Sequence, residues 1–270
     1  MTICLPVLNG ARFLDAQLES LLLQTHPPAR VIISDDGSVD ETHHIIKRFQ
    51  GSAPFPVQIL AGPQRGYGAN IMFLLSKVDH GFLAFCDQDD IWMTERLEQA
   101  LDALSTTTGP ALHVSARAIG CLKSHRIFIP RQTSFPRALR RNLAPANATV
   151  INPTALQLIR QAASRLTSPP AFPDWWIFAL LLGRDGTVLF DPRPRLVYRQ
   201  HGKNMLGART VPGLARRAAA LCDGRHRQWQ QAHLQAIMEC ADLLTPDNRD
   251  ILQSYTHSDG TLPDYMTEAI

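Results

Sequence analysis

The amino-terminal part of the chain alternates short apolar runs with amphipathic stretches. Thr2-Ile3-Cys4-Leu5-Pro6-Val7-Leu8 predicts a first strand, closed by the turn pair Asn9-Gly10. Phe13, Leu14, Leu18, Leu21 and Leu22 recur at helical spacing until Pro27-Pro28 stops the pattern. Val31-Ile32-Ile33-Ser34 predicts a second strand, ending in Asp35-Asp36, and Asp40-Glu41-Thr42 opens a helix through Ile45, Ile46 and Phe49. Val57-Gln58-Ile59-Leu60 predicts a third strand, and Gly66-Tyr67-Gly68-Ala69-Asn70 leads into a helix through Phe73, Leu74, Leu75 and Val78. The run Gly81 to Cys86 predicts a fourth strand and runs straight into Asp87-Gln88-Asp89-Asp90. A helix is expected to begin near Ile91-Trp92-Met93, with Asp89 or Asp90 as its cap. Farther on, Ala111 to Ala116 and Arg195 to Tyr198 predict strands, Asn152-Pro153 a helix start, and Trp229 to Leu244 a helical run.

Strands alternating with helices, with polar residues after each strand, predict an α/β fold with a mostly parallel central sheet. Ligands bind such sheets outside the carboxyl ends of the strands, where Asp35, Asp36, Asp87 and Asp89 all fall. Like charges about 4 Å apart repel by about 1 kcal/mol in water and several-fold more near a protein surface. The acidic cluster therefore calls for a cation, and oxygen donors at this spacing suit Mg²⁺ or Mn²⁺.

Composition narrows the class. The 270 residues, 45% hydrophobic and 19% charged, are enough for one large α/β domain plus an appendage. A net charge of +3 is too small to point to nucleic acid. Cys4, Cys86, Cys121, Cys222 and Cys240 are scattered and odd in number, as expected of reduced core thiols. No stretch reaches the roughly 18 apolar residues of a membrane span. The amino terminus lacks a basic leader, so a cytoplasmic protein without a signal peptide is expected. Neither a Gly-x-Gly-x-x-Gly after the first strand nor a P-loop is present. A diphosphate would rely on the cation and on basic residues such as Arg65.

Leu5-Pro6-Val7-Leu8-Asn9-Gly10, Ile33 to Thr42 and Phe85 to Trp92 resemble the signature segments of family 2 glycosyltransferases. The resemblance resumes at Phe172-Pro173-Asp174-Trp175-Trp176 and at Tyr198-Arg199-Gln200-His201-Gly202-Lys203-Asn204, covering about residues 1–207. It implies a GT-A-like, Rossmann-like fold: a nucleotide-binding half (about 1–110), an acceptor half (about 111–207) and a C-terminal helical extension (208–270). The segments Asp87 to Trp92 and Tyr198 to Gly202 look most like bacterial rhamnosyltransferases of lipopolysaccharide and capsule synthesis.

What the resemblance implies is specific. An inverting transferase would move a sugar from a nucleotide-diphosphate donor, dTDP-rhamnose or a UDP-sugar, to a glycan or lipid-linked glycan. Asp174 would be the general base. Pro6, Val7, Asn9, Asp35, Asp36 and Arg65 would line the nucleotide pocket, with Asp36 on the base. Asp87, Asp89 and His201 would hold the divalent cation. Asp90, Trp92, Trp175, Trp176, Arg199 and Lys203 would lie near donor and acceptor. Apolar neighbours would raise the basicity of Asp174, although Pro173-Asp174 is equally a helix start. Ala144 to Val150 replaces a Gly-Cys-Thr-like turn common in the family, leaving the acceptor side open.

Arg131, Arg137, Arg140 and Arg141 would face an anionic acceptor or simply water. Arg209, Arg216, Arg217, Arg225 and Arg227 face a single acid, Asp223, and a basic amphipathic helix of that kind can lie on an anionic membrane. The alternative is a helical appendage packed on the catalytic domain. Tyr255 to Ile270 is polar and expected to be loosely held. Two other functional classes stay open: a nucleotidyltransferase or other metal-dependent nucleotide enzyme, and a non-catalytic glycan- or nucleotide-binding module.

Overall fold

The computed structural model describes residues 1–119, 133–201 and 225–257. Helices flank a single eight-stranded sheet. The strands are β1 (Thr2–Val7), β2 (Arg30–Asp35), β3 (Val57–Ala61), β4 (Leu83–Phe85), β5 (Asp90–Trp92), β6 (Ala111–Ile119), β7 (Thr149–Ile151) and β8 (Thr187–Tyr198), in the order β3-β2-β1-β4-β7-β6-β8-β5. The helices are α1 (Ala11–Leu22), α2 (Thr42–Ser52), α3 (Tyr67–Leu75), α4 (Arg96–Ser105), α5 (Phe135–Arg140), α6 (Pro153–Ala163), α7 (Pro173–Gly183), α8 (Arg225–Met238) and α9 (Pro246–His257).

From β3 to β4 every pairing is parallel. That is the geometry demanded by strands joined through helices, and it sets their carboxyl ends along one edge. Beyond β4 the sheet becomes mixed: β7 runs antiparallel to β4 and β6, β8 parallel to β6, and β5 antiparallel to β8. The mostly parallel expectation holds, with four of the seven strand pairings parallel, three of them in the amino-terminal half; β7 has no periodic signal in so short a segment.

The helix expected near Ile91 is instead strand β5. Asp90, Ile91 and Trp92 pair with Tyr198, Val197 and Leu196. Trp92 donates its backbone N–H to Ser20 Oγ at 3.1 Å, and Met93 donates to Arg195 O at 2.9 Å. Partners distant in sequence override the local preference, and neither Asp89 nor Asp90 caps a helix; α4 begins after Glu95.

The two C-terminal helices share the core built around α7. Ala236, Ile237, Cys240, Leu244, Leu252 and Tyr255 belong to the same buried cluster as Trp176 to Leu182 of α7. Asn248 Nδ2 donates to the carbonyls of Leu182 and Gly183 and to Asp185, fixing the end of α7. Tyr255 is fully buried, so the loose tail expected from that residue onward does not start there. Residues 258–270 and most of the basic stretch 209–227 lie outside the described residues. Among the described residues, no helix is long and apolar enough to cross a membrane. Cys4, Cys86 and Cys240 are buried free thiols, whereas Cys121 and Cys222 lie outside the described residues.

Candidate active site

The carboxyl ends of β1 and β2 are joined by a lattice of side-chain to backbone bonds. Asn9, in the left-handed region at φ 48°, accepts from Val39 N at 2.9 Å, and its own N–H donates to Ser38 Oγ at 2.9 Å. Gly10 N donates to Thr42 Oγ1 at 2.8 Å, and Asp35 Oδ1 accepts from Ser38 N at 2.9 Å. Gln88 brackets Leu8, accepting from its N–H at 2.9 Å and donating to its carbonyl at 3.1 Å. Pro6 and Val7 are buried within β1 below this lattice.

Asp36 is buried, and its carboxylate accepts from the N–H groups of Gln64 at 2.7 Å and Gly66 at 3.1 Å. It clamps the loop that follows β3, on which Arg65 is exposed. That loop delivers Tyr67, at the start of α3, whose hydroxyl donates to Asp87 Oδ1 at 3.1 Å. Burial and the carboxylates of Asp87 and Asp174 push the Tyr67 hydroxyl well above its ordinary range. One tyrosine therefore bonds the first acid after β4 within reach of the charge of Asp174, and Asp36 fixes the backbone just before it. The sites scattered through the sequence share one crevice.

Within the acidic cluster the three carboxyl groups differ. Burial pushes Asp87 up to about 7, with Asp89 adding to the effect and the Tyr67 hydrogen bond opposing it. Asp90 is fully buried and accepts a 2.6 Å bond from Asn147 Nδ2; burial raises it well above the usual carboxylate range. Asp89 Oδ2 lies 2.6 Å from His201 Nε2, and the His201 ring stacks on Phe13 with centroids 4.4 Å apart. Arg199 donates to the carbonyl oxygens of Asp89 at 2.6 Å, Phe13 at 2.6 Å and Asp90 at 3.2 Å, tying the end of β8 to the cluster. Lys203 lies outside the described residues.

The donors suit a hard cation in kind. Asp87 and Asp89 crowd charge that burial makes costly, and His201 adds an imidazole beside Asp89. Among the described residues no three acidic, histidine or cysteine side chains converge as a closed cage.

Asp174 stands in the first turn of α7, after Pro173, and Phe172 occupies the cap position. Its Oδ2 accepts from Asn142 Nδ2 at 2.8 Å and from Ala146 N at 3.3 Å, while Oδ1 accepts from Trp175 N at 2.9 Å. Burial nonetheless raises its pKa above the ordinary value, the three hydrogen bonds opposing that rise. Trp175 is buried with Nε1 donating to Ala138 O at 2.6 Å, and His233 of α8 stacks on it at 4.1 Å. Trp176 is fully buried, and Trp92 lies in the core under the Arg96 guanidinium, 4.2 Å from its ring centroid. These three indoles support the crevice from behind.

Several residues of the site have no local signal in the sequence. Asn142 and Asn147 lie on the segment leading into β7, and Arg117 on β6 where it runs beside β8, so each meets its partners only through long-range contacts. Gly68 is another: a Cβ there would lie 2.5 Å from the carbonyl oxygen of Pro170, so α3 touches the loop leading to Asp174. The replaced turn at Ala144 to Val150 marked the region, but not what it would touch.

Comparison with known proteins fits this geometry. Over 211 residues, 74% of this chain and 72% of the other, the sequence is 26% identical to the dTDP-rhamnosyl transferase RfbG of Shigella flexneri. The fold superposes on S. aureus TarS 1–349 in complex with UDP-GlcNAc at a TM-score of 0.60 and 15% identity, over 96% of this chain and 87% of that one. Glucosyl-3-phosphoglycerate synthase from Mycobacterium tuberculosis, in complex with Mn²⁺ and UDP, superposes at a TM-score of 0.56 and 16% identity, over 87% of this chain and 78% of that one. These structures share the GT-A fold. Residues 2–166 match glycosyl transferase family 2, and with the fold and the crevice in agreement, the chain belongs to that family of enzymes.

Proposed function

We propose that the protein transfers L-rhamnose from dTDP-L-rhamnose to a hydroxyl of a growing cell-surface glycan, with inversion at the anomeric carbon. The donor follows the similarity to the Shigella rhamnosyl transferase. The observation carrying the chemistry is that Tyr67 bonds Asp87 while the adjacent Gly68 packs against the Pro170 carbonyl in the loop leading to Asp174, which supports a crevice where diphosphate and acceptor meet.

Asp174 takes the proton of the acceptor hydroxyl as that oxygen attacks the anomeric carbon and the bond to the diphosphate breaks, in a single displacement. Burial raises its affinity for the proton, and Asn142 and Ala146 N–H fix its direction. Asp87, Asp89 and His201 would hold a divalent cation, which when bound supplies charge neutralisation on the departing diphosphate. Asp36, Asn9 and Asp35 set the backbone of the nucleotide pocket. The acceptor is a lipid-linked glycan met at the cytoplasmic membrane surface, with the basic residues 209–227 supplying peripheral contact.

The test combines donor choice with stereochemistry. Purified protein is assayed with dTDP-L-rhamnose and with UDP-sugars, with and without Mn²⁺, and the product anomer is read by NMR. Asp174→Asn should lower turnover by about 10²–10⁴-fold while leaving nucleotide affinity intact. A retained anomeric configuration, or full activity in Asp174→Asn, would sink the mechanism.

A further inference from the structure

We infer that Arg117 binds the sugar-linked phosphate of the donor, its guanidinium held ready by Tyr198 and Asn147; this rests on the nucleotide-sugar reading above. Arg117 lies on β6, half-buried, beside the acidic cluster. Its Cζ sits 4.9 Å from the centroid of the Tyr198 ring, and its Nη1 makes a long 3.4 Å bond to Asn147 Oδ1. Among the described residues it forms no ion pair with a carboxylate, although its charge is felt by Asp87, Asp90 and Tyr198.

The neighbouring arginines are committed elsewhere. Arg96 is buried, donating to Asn147 O at 2.6 Å and Ser115 Oγ at 3.1 Å, with its face on Trp92. Arg199 holds the carbonyls of Phe13, Asp89 and Asp90. Arg117 alone of these three keeps most of its N–H fork undirected at protein oxygens. A guanidinium carries five donors in a rigid fork that matches a phosphate, and stacking on an aromatic ring fixes its plane without using any of them. Asn147 is itself locked, by its bond to Asp90 and by Arg96 on its carbonyl, so the Arg117 mooring is stiff.

Position selects the phosphate. Asn147 follows directly on Ala146, whose N–H holds Asp174, and Asp90 follows directly on Asp89. Arg117 is thus moored through Asn147 to the strand end that bears Asp89 and to the turn that holds Asp174, the place where a diphosphate would meet the sugar. A neutral acceptor hydroxyl would gain little from a guanidinium, whereas an anion entering an acidic crevice requires one.

The test is calorimetric titration of the full chain with UDP, UMP, dTDP and dTMP in the presence of Mn²⁺, comparing wild type, Arg117→Gln and Arg117→Lys. Arg117→Gln should weaken the binding nucleoside diphosphate by about ten-fold or more while changing the monophosphate little, and Arg117→Lys should fall between. Equal losses for di- and monophosphate would mean general disruption of the pocket and would overturn the inference, as would no loss for either. Should Arg117→Gln not fold by circular dichroism, Arg117→Lys carries the same comparison, because it keeps the charge and lacks the fork. If wild type binds neither diphosphate, the donor reading fails first and the role of Arg117 falls with it.

Discussion

The two halves of the molecule build their share of the crevice by different means. In the amino-terminal half, loops after parallel strands are wired to one another by polar bonds: Asn9 to Val39, Asp36 to Gln64 and Gly66, Gln88 to Leu8. In the second half, Asp174 rides on a helix whose flanks are packed in aromatic rings from behind, with Trp229 edge-on to Phe172 at 5.1 Å and His233 flat on Trp175 at 4.1 Å. The first design ties loop to loop through local polar bonds. The second holds Asp174 on a stiffly packed helix. Damage should therefore stay local in one half and spread in the other.

The strongest challenge to that contrast is Trp176→Ala. The side chain is fully buried in the core shared by α7 and the C-terminal helices, and its removal should cost about 3–5 kcal/mol by urea unfolding. A loss near zero would show that the helix is not held by packing. Asp36→Asn comes next, since it leaves one of two backbone N–H groups without an acceptor and the other without a charged one, easing local opening of the loop by about 1.5–3 kcal/mol. Here the damage should stay in the loop: faster hydrogen exchange at Gln64 and Gly66 and weaker donor binding, with the global transition little changed.

The smallest effect is one of pH. Burial drives His233 down to about 3 and His113 to about 4, against an ordinary value of about 6.5. Between those values the unfolded chain binds protons that the folded chain refuses, so stability declines as pH falls below about 6.5, by up to about 1.4 kcal/mol per pH unit for each histidine. His233→Phe should flatten that slope by one histidine's share while keeping the stack on Trp175. An unchanged slope in urea titrations at pH 5 and 7 would place His233 in water.

Legibility in the sequence followed the same division. Strands β1, β2, β3 and β4, their helices and the acids at their tips were readable because each signal lies within a few residues of its effect. Asp36 is an instructive exception in role: its position was plain, but its hold on Gln64 and Gly66 depends on a loop distant in sequence. The short strands β5 and β7 were not readable, because long-range pairing creates them. Arg117, Asn142 and Asn147 stayed hidden for that reason; nothing within their own neighbourhoods says that an acid will be waiting.

Gly68 shows how finely the join between the halves is gauged. With the Pro170 carbonyl oxygen 2.5 Å from where a methyl carbon would stand, backbone meets backbone, and no flexible side chain is there to swing aside. Any larger residue would wedge Tyr67, which bonds Asp87, away from the loop that leads to Asp174. A displacement of about 1 Å between reacting groups can slow a reaction about 10²-fold. The spacing between Asp87 and Asp174 is thus set by a hydrogen atom at a seam that touches neither.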